Sequence, residues 1–296
     1  MSNALNLVVE PDPPKAWIET VQRGLNFHNI AATGLVSFYP VGVVAKRGEA
    51  VAGGLFGNVW GGWLYVRSLW VEPASRGHGY ATELMAAAER YALAKGGVAG
   101  FLQTASYEAR PLYEKLGYEV FAQLADHPVK GHRRYFMAKR PLKGIETRSP
   151  RLPDRASIVM QPYVPHPVQE LVHRGIQTHA IAAIGLPEQM WQPCSVFLKS
   201  DDGEIVGGAI GNTWGQWLYV SDLWLDSPLR GTGHGASLMQ ESERQAVQRG
   251  CTDAFLDTFS FQARPFYEKL GYKLFGTLEN HPPGHSHYYM KKRLPS

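Results

Sequence analysis

The chain has 296 residues, 44% of them hydrophobic and 19% charged, with a net charge of +4. That length suits two ordinary domains, each able to bury its own core, and the balance excludes a disordered chain. Basic residues are scattered, which excludes a nucleic-acid groove, and no run of about 18 apolar residues marks a membrane span. The first residues lack a basic region followed by an apolar core, so a cytoplasmic location is expected. Cys194 and Cys251 form no C-x-x-C pair; they are read as small buried hydrophobes, and no metal site is expected.

In chain order, apolar residues at helical spacing predict a helix over Trp17–Asn29. Strands follow over Leu35–Ala45, Ala50–Phe56 and Trp63–Val71. Leu84, Met85, Ala88 and Ala92 then mark one face of a second helix, which Gly96 ends. A short strand over Phe101–Thr104 leads to a short helix, with Ser106 as its expected N-cap and Pro111 early in it. A hairpin of Tyr118–Leu124 with Tyr135–Lys139 closes this half.

The same series then recurs. Helix Val168–Ala180 precedes strands over Cys194–Lys199, Glu204–Ile210 and Trp217–Leu225, with Asp201-Asp202-Gly203 as a hairpin turn. Leu238, Met239, Ser242 and Ala246 mark the next helix, Phe255–Thr258 the next strand, and Ser260 the expected cap of the second short helix. Tyr272–Leu278 with Tyr288–Lys292 form the last hairpin. Residues 53–128 match residues 207–282 without a gap, at 38 of 76 positions. So long a match means duplication of a whole domain. The join falls in a stretch with Pro141, Pro150 and Pro153, which has linker character.

Both copies carry an apolar strand, a glycine-rich turn and an amphipathic helix. The turns read Arg76-Gly77-His78-Gly79-Tyr80-Ala81 and Arg230-Gly231-Thr232-Gly233-His234-Gly235-Ala236. Glycines allow the sharp turn, and a helix start offers unpaired N–H groups and the positive end of a dipole. A phosphate or pyrophosphate suits that place. The spacing is neither a P-loop nor the dinucleotide G-x-G-x-x-G.

These turns resemble the acetyl-CoA signature of the GCN5-related N-acetyltransferases. The likeness continues in Ala109–Tyr118 and Ala263–Tyr272, similar to the last helix and following strand of that family. The resemblance implies two tandem domains of α/β (α+β) class, each with a mixed, mainly antiparallel sheet flanked by helices. Their expected limits are 1–141 and 158–296, with residues 142–157 as linker. It implies acetyl-CoA as cofactor, with the backbone of Leu69–Val71 and of Leu223–Leu225 beside the pantetheine. Tyr113 and Tyr267 then stand where the family places an acid, and a phenol protonated at pH 7 can serve a departing thiolate.

The base is less legible. Asp222 and Asp257 are carboxylate candidates in the second copy, where the first has Ser68 and Gln103, so the second copy is expected to be the principal catalytic one. His28 and His179, near helix ends, are further candidates for the base or the acceptor pocket. Trp217 and Tyr219 share one strand face, and His281 and His285 lie in the last hairpin's loop; these are the expected acceptor contacts. The expected function is acetyl transfer to a small-molecule amine. The alternatives are an acyl-CoA-binding protein with one or both copies inactive, or an acetyltransferase acting on protein amines. Nucleic acid and membrane are not expected partners, and oligomeric state is not legible.

Overall fold

The computed structural model describes residues 5–145, 152, 156–185 and 191–295. The first half runs β1 (Asn6–Val9), α1 (Lys15–Thr33), β2 (Phe38–Arg47), β3 (Ala50–Trp60), β4 (Trp63–Val71) and α2 (Tyr80–Ala94). It ends with β5 (Ala99–Ala105), α3 (Arg110–Lys115), β6 (Glu119–Ala125) and β7 (Arg133–Lys139). The second half runs β8 (Ala156–Met160), α4 (His166–Ile184), β9 (Trp191–Pro193), β10 (Val196–Lys199), β11 (Ile205–Trp214) and β12 (Trp217–Leu225). It ends with α5 (His234–Gln248), β13 (Asp253–Phe259), α6 (Arg264–Lys269), β14 (Lys273–Glu279) and β15 (Ser286–Arg293).

Two sheets result. One has the order β6-β7-β5-β4-β3-β2-β8, the other β1-β10-β11-β12-β13-β15-β14 with β9 beside β11. Among the described residues, only β4–β5 and β12–β13 pair in parallel. Each sheet is therefore mixed and mainly antiparallel, with helices against it, as expected. Apolar faces of α2 and α5 supply the cores, Leu84, Met85, Ala88 and Ala92 in one and Met239 and Ala246 in the other.

The halves exchange their first strand and helix. Strand β1 pairs with β10, from Asn6 opposite Lys199 to Val9 opposite Val196. Strand β8 pairs with β2, from Met160 opposite Val43 to Ala156 opposite Arg47. The helices follow their strands: α1 packs on β11 and β12, and α4 on β3 and β4. One indole fixes each helix in place. A Cβ on Gly24 would stand 2.0 Å from the Trp224 ring, and one on Gly175 would stand 2.2 Å from the Trp70 ring. The sheets therefore do not divide at the expected limits. Strand β8 begins inside the expected linker, whose residues 146–151 and 153–155 lie outside the described residues.

The expected caps are also corrected. Helices α3 and α6 start after Ala109 and Ala263, without a side-chain cap. The Ser106 and Ser260 hydroxyls instead accept the Arg133 and Ser286 N–H groups across the neighbouring strands.

Between the halves lies an aromatic seam that includes Trp63, Phe101, Phe136, Trp217, Phe255 and Tyr289. Two reciprocal hydrogen bonds lock it. Trp63 Nε1 donates to the Asn280 carbonyl at 2.8 Å, and Trp217 Nε1 donates to the Asp126 carbonyl at 2.7 Å. His281 packs against Trp60, Trp63 and Phe101, and His127 against Trp214, Trp217 and Phe255.

Burial pushes both His127 and His281 well below the ordinary histidine range, so both are neutral in the folded chain. The unfolded chain protonates these rings below about pH 6.5. Their contribution is therefore fully present above that pH and lost as pH falls toward the lowered native values. The slope each ring contributes grows as pH falls below the unfolded value, because only the unfolded chain takes up the proton there. Urea midpoints are expected to drop between pH 6.5 and 5.5, and to drop less in a His127→Phe, His281→Phe variant. The same pH dependence in that variant would place the acid sensitivity elsewhere.

Candidate active site

Each cleft opens where two parallel strands part. Strand β4 pairs with β5 only from Trp63 to Val66, and β12 with β13 only from Trp217 to Val220. Just beyond, the register slips by one residue: Phe56 faces Ser68 while Gly57 faces Val66, leaving Arg67 as a bulge. Ser221 bulges in the same way in β12. Bulges bend a strand and end its pairing. Past them, Leu69–Val71 and Leu223–Leu225 lie along the open wedge, still paired on their other side with β3 and β11.

The glycine turns stand at the wide end. Gly77 and Gly79 have φ of 79° and 85°, and Gly231 and Gly233 have φ of 78° and 94°. Gly79 and Gly233 cap α2 and α5, and neither helix start has a side-chain cap. Arg76 Nε donates to the Val71 carbonyl and Arg230 Nε to the Leu225 carbonyl, both at 3.1 Å, tying each turn to its strand. A Cβ on Gly231 or Gly233 would meet no atom within 4 Å. These glycines therefore face open space rather than packing, and left-handed backbone beside an uncapped helix start fits an anionic pyrophosphate.

A cavity of about 550 Å³ fills the first wedge, bordered by Leu69, Val71, Arg76, Ala81 and Tyr113. One of about 620 Å³ fills the second, bordered by Leu223, Leu225, Arg230, Gly231, Gly233, Gly235 and Ala236. Gly77, His78, Gly79, Tyr80, Thr232 and His234 border neither. Tyr80 is buried in the first core, and the Thr232 hydroxyl donates back to the Leu229 carbonyl.

The exchanged helices complete both clefts. Ile176 and His179 of α4 border the first, and Leu25, His28 and Asn29 of α1 border the second. His179 thus borders the first copy's cleft, while its counterpart His28 borders the second. His179 Nε2 lies 3.0 Å from the Tyr107 carbonyl. A carbonyl only accepts, so Nε2 carries a proton, and in the neutral ring Nδ1 keeps the lone pair.

Behind the second cleft lies a polar cluster. Asp257 accepts the Tyr219 hydroxyl at 2.9 Å and His287 Nε2 at 2.7 Å. Tyr289 Oη and His281 Nδ1 lie 3.3 Å from His287 Nδ1. Asp257 borders both the second cleft and an inner cavity of about 200 Å³ walled by Trp60, Trp63, Phe259 and His281. His287 and Tyr289 escaped the sequence reading, because they lie on a strand whose first-copy counterparts are Arg134 and Phe136.

The other expected residues take varied places. Asp222 accepts the Ser221 hydroxyl at 2.7 Å and borders none of these cavities; burial raises its pKa. Trp217 belongs to the seam and, with Tyr219, borders a fourth cavity of about 590 Å³ against the first half. His285 Nδ1 lies 3.3 Å from the Ser260 hydroxyl, and the residue borders none of these four cavities. Tyr267 is buried, and Phe266 rather than Tyr267 borders the second cleft. Burial raises both phenols; the Asp257 and Asp222 charges add to this at Tyr267 and that of Glu108 at Tyr113. Both remain protonated near neutral pH and so have a proton to donate.

Comparison with known proteins identifies the family. The Acetyltransferase (GNAT) family profile matches residues 9–118 and 169–272. The chain is similar to a blasticidin-S acetyltransferase of Streptomyces morookaense, at 38% identity over 34% of this chain and 74% of the relative. It is 33% identical to the acetyltransferase Atu2258 of Agrobacterium fabrum, over 34% of this chain and 73% of the relative. A crystal structure of an acetyltransferase from Bacillus cereus is 32% identical over 45% of this chain and 95% of that one, with a TM-score of 0.41. The chain belongs to the GNAT acetyltransferases. It carries two domains of that family, and its enzymatic class is N-acetyltransferase. Among the described residues, no helix is long and apolar enough to cross a membrane.

Proposed function

We propose that the chain transfers acetyl from acetyl-CoA to a primary amine of a small molecule by direct attack, with the second copy as the principal site. The observation that carries this is Asp257, one carboxylate bordering both the second cleft and the inner cavity behind it. An ammonium entering that cavity meets a negative charge between aromatic walls, chemistry suited to a small cation. Tyr219 and His287 hold the carboxylate in place, as a base must be held.

The rest of the assignment follows the strands. The turn Arg230–Ala236 and the start of α5 would hold the donor's pyrophosphate. The backbone amides of Leu223–Leu225 would face the thioester oxygen, where negative charge develops. Tyr267 is the candidate acid, kept protonated by burial. The first copy offers Leu69–Val71, Arg76–Ala81 and Tyr113 for the same tasks, with an amide, Gln103, in place of Asp257. The relative named as a blasticidin-S acetyltransferase supports a small-molecule acceptor. A cavity of about 200 Å³ favours one over a protein tail. A thiol-release assay with acetyl-CoA and an amine library tests the reading. At least one small amine should drive release, and Asp257→Asn should suppress it. A chain that binds acetyl-CoA but releases no thiol with any small amine would be a binding protein instead.

A further inference from the structure

The two halves are duplicates, but the charges where cleft meets acceptor cavity are opposite. In the second half the shared wall carries the Asp257 carboxylate. In the first half, the cleft and the cavity of about 590 Å³ share Arg67 and Arg134. Their counterparts in the second half are Ser221 and His287. The larger cavity is walled by aromatic residues of the other half, Trp214, Trp217 and Phe255.

The two arginines are not balanced locally. Among the described residues, neither has a carboxylate within ion-pair distance. Arg134 donates once, to Gln103 Oε1 at 3.0 Å. Its guanidinium lies 5.8 Å from the Trp214 ring centre and 5.7 Å from that of Phe255, within reach of both ring faces. Among the described residues, the remaining N–H groups of that fork have no partner. The one carboxylate on the same wall, Glu108, already accepts Thr104 Oγ1 and the Ala105 N–H. The cavity also presents His127, buried and, among the described residues, with no partner for Nδ1. A neutral imidazole nitrogen without a partner is a costly thing to bury unless a ligand supplies one.

We infer that the first copy's cavity receives an acceptor amine that also bears a carboxylate, held by Arg67 and Arg134. A planar guanidinium fork matches a carboxylate in two parallel hydrogen bonds. Its volume, about 590 Å³ against about 200 Å³, admits a larger molecule than the second copy's cavity. His179 of the exchanged helix lies in the adjoining cleft with Nδ1 able to take the amine proton. The duplication then yields two acceptor specificities rather than one active and one idle site. The inference rests on the reading of the chain as an amine acetyltransferase.

The test compares α-amino acids with the amines that lack only the carboxylate, such as tryptophan with tryptamine and phenylalanine with 2-phenylethylamine. Binding is read by calorimetry in the presence of coenzyme A, and turnover by thiol release. Among the proteinogenic amino acids, at least one should be favoured over its matching amine. Arg67→Met and Arg134→Met should each weaken it by at least about tenfold, with little change for carboxylate-free amines and an unchanged melting temperature. Arg134→Lys should restore part of the loss. No preference for any amino acid, or a preference untouched by both substitutions, overturns the inference. Asp257→Asn separates it from the function proposed above. That substitution should depress turnover of carboxylate-free amines alone, and its failure would count against the second copy's assignment without touching the arginines.

Discussion

Replacing Gly233 by valine is expected to raise the dissociation constant for acetyl-CoA by more than about tenfold, while the melting temperature falls by only a few degrees. Gly233 caps α5 at φ 94°, a backbone conformation that costs a side chain about 1–3 kcal/mol. A Cβ there would meet no atom within 4 Å, so the space beside Gly233 is open. That open space is where the account places the pyrophosphate. Valine there fills the anion's place and strains the turn whose N–H groups face it. The wild-type affinity should also weaken with rising salt, as contacts between charges do. A variant that unfolds would make the glycine a folding requirement. One that binds normally would move the pyrophosphate elsewhere.

Asp257→Asn is expected to lower turnover of a carboxylate-free amine by about 10²–10⁴-fold, the range of a lost general base. The substitution keeps the side chain's shape, and Gln103 shows that an amide is accommodated at the equivalent place in the first copy. With the same amine, Tyr267→Phe should cost far more turnover than Tyr113→Phe. Equal losses at the two tyrosines would mean that both copies process that amine. A larger loss at Tyr113 would reverse the assignment, and Tyr113 does border its cleft where Tyr267 does not.

The elements were legible where local chemistry dictates them. Trp63–Val71 and Trp217–Leu225 form strands with the limits their apolar runs predict, and glycines end or begin helices where expected. The exchange of β1 and α1 for β8 and α4 was not legible. Two copies of one domain offer each other nearly the same surface, so native and exchanged pairings look alike in the local pattern. Gly24 and Gly175 carried the signal, since a glycine inside an amphipathic helix usually has a packing reason. Only the fold shows that the indole each glycine admits belongs to the other half. The same exchange carries His179, a residue of the second half, to the cleft of the first copy. The histidine loops were read as acceptor walls. His281 does border the inner cavity, yet its ring is seated in the seam between halves, a long-range contact no spacing rule reports. Asp257 was legible as a difference between copies. Its partners Tyr219 and His287 come from neighbouring strands and needed the register of β13 with β12 and β15.

The central claim is that the duplication built two donor sites, each finished by a helix from the other half. Calorimetry of acetyl-CoA binding tests it most directly. The account predicts a stoichiometry near two per chain, falling to one in Gly79→Val and to one in Gly233→Val. A wild-type value of one, unchanged by Gly79→Val, would contradict it.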